Sequence, residues 1–470
     1  MKEIKSYLSI IEPNLLNRLS GKVADFTKIV KEGNFASEEA LIQQVCKEGK
    51  DRSYYNNLKS KSLRVLQSLA IVSSNSESNA LVKKLEHCQK DFVLGKKFLN
   101  AGIRSEGIRL IKKSYKIAIE YEFTHMACEL ASILHKDAAH YQTNVKLANK
   151  YADEVELYTQ NYLIEKKVER YYLQLVAKVN KGKTITVSEV YDILEKVNAL
   201  AGKSILCQVL TALMQVHAGV YGKKYEEVIE KSNQALLLFE KRKGVNISQI
   251  KFFHDKKGVA LMTLERFVEA KQSFERGLTF ASRFTPNYFV SKLHICINAL
   301  HAGDYDTAFE HYRANRNCKF YFIQKQFSII EAYLYFLSKK GHLSSSRFRI
   351  GKFLLETENE IDNQNVLIAR LLVVLVQGQN DFIAEVQRLE KELPQYLKLP
   401  GSKRANQFLK ILITLAKADF DLTRVEHRVA NQLQFLETMP LALGDSLAFE
   451  MIPFQHLWEM IALKLKRKTA

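Results

Sequence analysis

The spacing of proline residues is the feature that most restricts how this chain can fold. The 470 residues contain six prolines, and none lies between Pro13 and Pro286. Because a proline inside an α-helix costs about 3 kcal/mol, so long a run without one permits long helices. Runs that alternate apolar and polar residues are scarce, and the Asn-Gly and Asp-Gly pairs that mark hairpin turns are absent. The sequence therefore predicts an all-α protein.

Small and aromatic residues recur along the chain at a regular spacing. Gly258, Ala270 and Gly277 are small, and Phe274 lies one helical turn after Ala270. Helices that cross closely need small side chains at the crossing and large ones beside it. The arrangement recurs with Ala308, which lies 38 residues after Ala270. Further residues that fit the register are Val228, Ala235, Tyr312, Ser346, Ala384 and Leu422, with Gly107, Ile111 and Ser114 nearer the start.

This spacing resembles the tetratricopeptide repeat, in which two helices pack around small residues and one aromatic residue. The resemblance implies a right-handed α-solenoid of tetratricopeptide-like helix pairs over residues 101–470, with the clearest repeats in 205–356. Steps of 38 residues exceed the usual repeat of about 34, which predicts helices longer than standard. Residues 1–100 lack the pattern, and we expect them to form a helical N-terminal cap.

The N-terminal region carries its own helix signals. Ser37 is placed as an N-cap before two acidic residues, which predicts a helix over 38–48, and a second helix is expected over 52–73. Its expected buried stripe is Tyr55, Leu58, Leu63, Leu66 and Leu69. Through Tyr55, Leu63, Arg64, Ser68 and Leu69, the stretch resembles uncharacterised tetratricopeptide-like proteins of Bacteroidota, a group that implies no activity. A helix-turn-helix that reads DNA is an alternative for this pair, with Arg52, Lys59, Lys61 and Arg64 as its cations.

Motifs that would indicate catalysis or a cofactor are absent from the sequence. The chain has no HExxH, GxSxG or CxxC motif, and KVNKGKT at 178–184 lacks the first glycine of a phosphate-binding loop. His301 and His311 are expected to be solvated or capping residues, and Glu226 and Glu227 to be surface charges. Six dispersed cysteines indicate unpaired thiols in a reducing compartment. We expect neither an enzyme nor a bound cofactor or metal.

The expected location is the cytoplasm. Residues 1–21 lack the continuous apolar stretch and the cleavage site of a signal peptide. The apolar run 366–376 has eleven residues and contains Arg370, so it is too short to cross a bilayer.

Positive charge is concentrated in residues 313–352, here called the basic segment. The whole chain has a formal net charge of +19, and the basic segment has nine basic residues against Glu331 alone, a net charge of +8. Aromatic residues lie among these cations, and residues three or four apart share one face of a helix. The predicted binding residues are Arg313, Arg316, Lys319, Phe322, Lys325, Gln326, Arg347 and Arg349.

Two shorter basic groups follow the same reasoning with less weight. One group consists of Lys398, Lys403, Arg404 and Lys410. The other is the tail with Lys464, Lys466, Arg467 and Lys468, which we expect to be a frayed, solvated end.

The favoured function is a non-catalytic scaffold or adaptor that holds a protein or an acidic peptide in the concave groove of the solenoid. A cationic groove attracts anionic ligands, so a nucleic-acid-binding helical-repeat protein is the alternative. A third interpretation also stays open, in which the cations cover a solvated convex face and the aromatic residues lie in the core.

Overall fold

The computed structural model describes residues 2–11, 13–33, 35, 37–46, 51–72, 80–180, 186–200, 202–283, 285–337, 353–354, 357, 364–396, 403–439, 441 and 450–469. Every regular element in these residues is a helix, and none of them forms a strand. The all-α prediction is therefore confirmed for the described part of the chain.

The helices of the N-terminal half are α1 (Lys2–Ile10), α2 (Pro13–Leu16), α3 (Gly21–Glu32), α4 (Glu38–Val45), α5 (Arg52–Val72), α6 (Ala80–Asn100), α7 (Arg104–Glu120), α8 (Thr124–His140), α9 (Val145–Asn180), α10 (Val187–Ala199), α11 (Ile205–Tyr221) and α12 (Tyr225–Phe239). Those that follow are α13 (Ile247–Thr263), α14 (Phe267–Leu278), α15 (Pro286–His301), α16 (Tyr305–Asn315), α17 (Tyr321–Leu337), α18 (Gln364–Gln377), α19 (Gln379–Tyr396), α20 (Lys403–Lys417), α21 (Leu422–Arg428), α22 (Ala430–Thr438) and α23 (Phe454–Thr469).

The helices pack mainly on their neighbours in sequence. The most extensive pairs are α6 with α7, α13 with α14, and α12 with α13, and helices α14, α15 and α16 continue the series. Helices two apart, such as α13 with α15 and α15 with α17, also touch. This serial packing is consistent with an α-solenoid.

Gly258 is required where α13 crosses α14. A Cβ atom at this position would lie 2.5 Å from Cε1 of Phe274, which is far inside van der Waals contact. Gly277 approaches α13 from the other side, since its Cβ would lie 3.1 Å from that of His254. Ala270 and Phe274 are fully buried. The predicted register of small and aromatic residues is thus confirmed at this crossing.

The other predicted registers have mixed outcomes. Val228, Ala235, Ala308 and Tyr312 are buried, as are Gly107, Ile111 and Ser114. Ser346 lies outside the described residues. The Ala384 register is wrong, because Ala384 is exposed and the buried stripe of α19 is Phe382, Val386 and Leu389. Leu422 begins α21 and is only half-buried, whereas Val425 is the buried residue of that helix.

The N-terminal helices α1 and α3–α5 have their own hydrophobic cluster. Tyr55, Leu58 and Leu66 of α5 are buried in it, and Leu63 and Leu69 pack against it. The predicted stripe is therefore confirmed. The Ser37 side chain accepts a hydrogen bond from Ala40 N, as expected of an N-cap, and α4 ends at Val45 rather than at 48.

By packing, the chain divides into two compact units. Unit 1 comprises Met1–Arg170, Leu200–Gln208 and Arg242–Asn246, and unit 2 comprises Tyr171–Ala199, Val209–Lys241 and Ile247–Ala470. Unit 1 also holds a second hydrophobic cluster, built by α6–α9. The division predicted between residues 100 and 101 concerns the start of the repeats and stays a prediction.

The apolar run at 366–376 lies in α18, where Val366–Leu375 are all buried. Arg370 is buried with them and forms a 2.9 Å ion pair with Glu385. In the described ranges, no helix combines the length and the apolar character needed to cross a membrane. All six cysteines are unpaired thiols.

Candidate functional site

The first part of the basic segment lies on the surface of unit 2. Helix α16 begins at its cap Asp304, whose carboxylate accepts a 3.1 Å hydrogen bond from Thr307 N, and it ends at Asn315. Arg313 in its last turn and Arg316 just after it are both exposed, as is Lys319 in the connection to α17. Three of the predicted binding residues therefore share the connection between α16 and α17 and its flanks.

The first turn of α17 presents two aromatic side chains to solvent. Tyr321 is 76% exposed and Phe322 is 54% exposed. The preceding Phe320 packs on Phe289 of α15, with ring centroids 5.9 Å apart, and Ile323 is buried. These inward contacts fix the start of the helix, so Tyr321 and Phe322 are held outward. Arg313, Arg316, Lys319, Tyr321 and Phe322 are called the α17 patch below.

Other predicted binding residues are placed differently. Lys325 is half-buried, and Gln326 is 8% exposed, so Gln326 does not share the exposed face of Phe322. The helix begins at Tyr321, so Lys319 precedes the helix and does not share a helical face with Phe322 and Lys325. Arg347 and Arg349 lie outside the described residues.

The cations of the α17 patch are poorly neutralised. Arg313 and Lys319 have no ion-pair partner among the residues that the structure describes. Glu331, the one acid of the basic segment, is half-buried and faces Tyr312 and Arg316. Burial raises the pKa of Glu331, although Tyr312 and Arg316 oppose that rise. The patch therefore combines exposed aromatic rings with largely uncompensated positive charge.

A second aromatic and cationic group was missed by the sequence analysis. On α11, His217 stacks on Tyr221 with ring centroids 6.1 Å apart, and it lies 5.2 Å from the ring of Phe252 on α13. Lys256 lies 5.7 Å from the same ring. Burial and the neighbouring Lys256 lower the pKa of His217 to about 4. Both His217/Tyr221 and Phe252/Lys256 are four apart, a spacing that could have revealed them.

A buried polar network joins α13 to α15. Lys251 pairs with Asp255 one helical turn later, and the Ser291 hydroxyl donates a 2.8 Å hydrogen bond to the same carboxylate. Lys251 is 4% exposed, so the network has a structural role: it satisfies charges that helix packing has removed from water.

Both shorter basic groups depart from expectation. Arg404 is an interior residue, because it is 2% exposed and its Nε donates a hydrogen bond to Glu450 at 2.5 Å. Lys403 and Lys410 are exposed. Lys398 lies outside the described residues. The prediction of a frayed tail is wrong as well, because Lys464 belongs to α23 and donates a hydrogen bond to the carbonyl of Phe336.

Of the two histidines expected to be solvated or capping residues, His301 is an interior residue. His301 is 4% exposed and contacts the carbonyl of Glu450, and His311 is half-buried. Glu226 and Glu227 lie in the first turn of α12. In the described part of the chain, no three His, Cys, Asp or Glu side chains are grouped as metal ligands would be.

One cleft of about 430 Å³ lies among α10, α11 and α12. Its lining residues are Tyr191, Leu194, Glu195, Asn198, Gln215, Ala218, Glu227 and Lys231. The lining mixes acidic, basic and amide side chains with apolar ones.

Comparison of the chain with models of known protein families gives no match, and comparison with curated proteins gives none either.

Proposed function

We propose that this protein is a non-catalytic scaffold or adaptor of the cytoplasm that binds a protein or an acidic peptide through the α17 patch. The observation that carries the proposal is the exposure of Tyr321 and Phe322 next to each other in the chain, close to Arg313 and Lys319, which have no ion-pair partner among the described residues. Tyrosine, phenylalanine and arginine are enriched in protein interfaces, where buried aromatic anchors supply much of the binding energy.

The proposal includes the finer architecture. The α-solenoid would be right-handed and tetratricopeptide-like, related in plan to the Bacteroidota proteins that its N-terminal region resembles, and residues 1–100 would cap it. Six unpaired thiols favour the reducing cytoplasm. A preorganised surface binds without a large ordering cost, and the ring contact between Phe320 and Phe289 supplies that preorganisation.

Single-stranded nucleic acid is the alternative ligand. Bases stack on exposed aromatic rings while lysine and arginine contact phosphates, and the α17 patch offers both groups. The formal net charge of +19 also favours a polyanion. Nucleic-acid binding predicts a steep loss of affinity with salt, because phosphate contacts release counterions.

The test compares the full chain with two matched variants as bait in an extract of the native cell, with and without nuclease and at two salt concentrations. Tyr321→Ser/Phe322→Ser removes both rings of the α17 patch. Leu237→Ser removes an 87% exposed apolar side chain from α12 and serves as the control. Purified bait is also titrated with a labelled single-stranded oligonucleotide.

The adaptor proposal expects a stoichiometric protein that survives nuclease, is retained by Leu237→Ser and is lost with Tyr321→Ser/Phe322→Ser. A protein retained by the double variant would refute the α17 patch as its site. Oligonucleotide binding that falls steeply with salt and needs the two rings would establish the alternative.

A further inference from the structure

The C-terminal segment, Glu450–Thr469, packs on helices that lie far away in sequence. The Glu450 carbonyl contacts His301 of α15, 149 residues earlier, and Met460 contacts Tyr305 of α16, 155 residues earlier. Lys464 reaches the last turn of α17, where its Nζ lies 4.3 Å from the ring centroid of Phe336. In an open solenoid each repeat contacts only its neighbours, so this segment closes the array by folding back onto it.

Glu450 is the anchor of the closure. Its side chain is fully buried, and its carboxylate accepts hydrogen bonds from Arg404 Nε at 2.5 Å and from Phe454 N at 3.2 Å. Its backbone carbonyl lies 2.6 Å from Nε2 of His301. One residue thus links α20, α15 and the start of α23.

The contact determines the tautomer of neutral His301. A carbonyl oxygen only accepts hydrogen bonds, so Nε2 must carry the hydrogen. Nδ1 is buried and has no hydrogen-bond partner among the described residues. A second proton on the ring would therefore be a buried, charged donor without an acceptor, which is a costly arrangement.

We propose that the C-terminal segment is a pH-sensitive clasp, docked on α15–α17 while His301 is neutral and released when His301 takes up a proton. Release exposes the imidazole to water, where both nitrogens can donate.

The size of the effect follows from linkage. Burial lowers the pKa of His301 from its ordinary 6.5 to about 4 in the docked state. Since the released state binds the proton more tightly, docking weakens as the pH falls from 6.5 toward 4. At pH 5 the docking equilibrium constant is expected to be about 20-fold lower than at pH 7.

The other titratable groups around the contact come from several elements. They are Glu450 with Arg404 on its carboxylate, Tyr333 of α17, Tyr305 of α16 and His456 of α23. Of these, His456 is exposed on the clasp itself, and its charge adds to the lowering of the pKa of His301. The matched control is therefore His427, which is exposed on α21.

The chain contains a single tryptophan, and Trp458 lies on α23 with 5% exposure. Its fluorescence therefore reports the clasp alone. Emission maximum and acrylamide quenching are followed from pH 7.5 to 4 in the full chain, together with ellipticity at 222 nm. We expect Trp458 to become exposed with a midpoint between pH 6.5 and 4 while the ellipticity is still that of the helical protein.

His301→Gln keeps a side-chain donor but cannot titrate, and its tryptophan should stay shielded at pH 5. His427→Gln should follow the wild type. A wild-type midpoint in His301→Gln, or tryptophan exposure that coincides with loss of ellipticity in the wild type, would overturn the clasp. The wild-type comparison of the two signals decides the matter even where His301→Gln does not fold. Because this readout involves no partner, it is independent of whether the α17 patch binds one.

Discussion

Two regions of unit 2 use the same kind of element in different ways. In α13–α16 each helix packs on the next, and the close crossing of α13 and α14 depends on Gly258 lying against Phe274. In α17–α23, by contrast, α18 is buried from Val366 to Leu375 and the C-terminal segment returns to contact α15–α17. The first region is organised by local fit, and the second by long-range closure.

The interior ion pairs also differ between the two regions. In α13 the buried Lys251 pairs with Asp255 one turn later on the same helix, whereas in the α17–α23 region buried arginines pair with residues farther along the chain, Arg370 with Glu385 and Arg404 with Glu450. Buried pairs tolerate the loss of one partner badly because the other charge then remains without solvation. Local fit is instead sensitive to added volume. The two regions should therefore fail in response to different substitutions.

The largest effect is expected for Arg404→Ala, which leaves the Glu450 carboxylate buried without its partner. We expect a loss of about 3–5 kcal/mol in the free energy of unfolding, measured by urea denaturation. Arg424→Ala is the control, because Arg424 pairs with Asp421 at 3.0 Å but is 72% exposed, so that its change should stay within about 1 kcal/mol. Equal losses in the two variants would show that closure does not depend on the buried pair.

Predictability from sequence follows the same division. Where a helix packs on its sequence neighbour, spacing alone placed Ala270, Phe274, Ala308 and Tyr312 in the core. The Ala384 register failed because α19 packs on the buried helix α18 through Phe382, Val386 and Leu389, a stripe that does not include Ala384.

Long-range partners leave no periodic signal. The sequence predicts Arg404 in a basic group and His301 as a solvated or capping residue. Their common partner, Glu450, lies 46 and 149 residues away from them, and no local pattern indicates it. At the candidate site, the segment was identified from its charge and aromatic residues, but exposure was decided by packing. Ile323 and Gln326 face inward, which leaves Tyr321 and Phe322 outside.

The second prediction tests local fit. Gly258→Ala would place a Cβ atom 2.5 Å from the Phe274 ring, and such overpacking costs about 1–3 kcal/mol. Gly378→Ala meets only the movable Asp381 carboxylate at 3.3 Å and should unfold at nearly the wild-type urea concentration. The double variant Gly258→Ala/Phe274→Leu should lose less free energy of unfolding than the two single variants lose together. Strict additivity of the two losses would mean that the crossing can relax.

The third prediction concerns pH. Burial lowers the pKa of His294 on α15 from 6.5 to about 4. Above pH 6.5 the histidine is neutral in both the folded and the unfolded chain, and the free energy of unfolding is at its full value. As the pH falls from 6.5 toward 4 this free energy decreases, because the unfolded chain binds the proton more tightly than the folded chain. His294→Gln should reduce the loss of unfolding free energy between pH 7 and pH 5 by about 1–2 kcal/mol.

The control for His294 is His427→Gln, at an exposed position of the α17–α23 region. Urea midpoints at the two pH values, measured for both variants, separate the two sites. An unchanged pH dependence in His294→Gln would show that its burial does not determine acid stability.

The smallest effect is expected at the α17 patch, and its smallness is what distinguishes a binding surface from packing. Tyr321→Ser and Phe322→Ser remove rings that are 76% and 54% exposed, so each should change the free energy of unfolding by no more than about 0.5 kcal/mol. Phe327→Ser, on the buried side of the same helix, should cost several times as much. A folded chain gains little stability from two exposed rings. If both variants keep the wild-type stability but lose a bound partner, the two rings serve recognition. A large destabilisation would instead place them within the closure of the α17–α23 region.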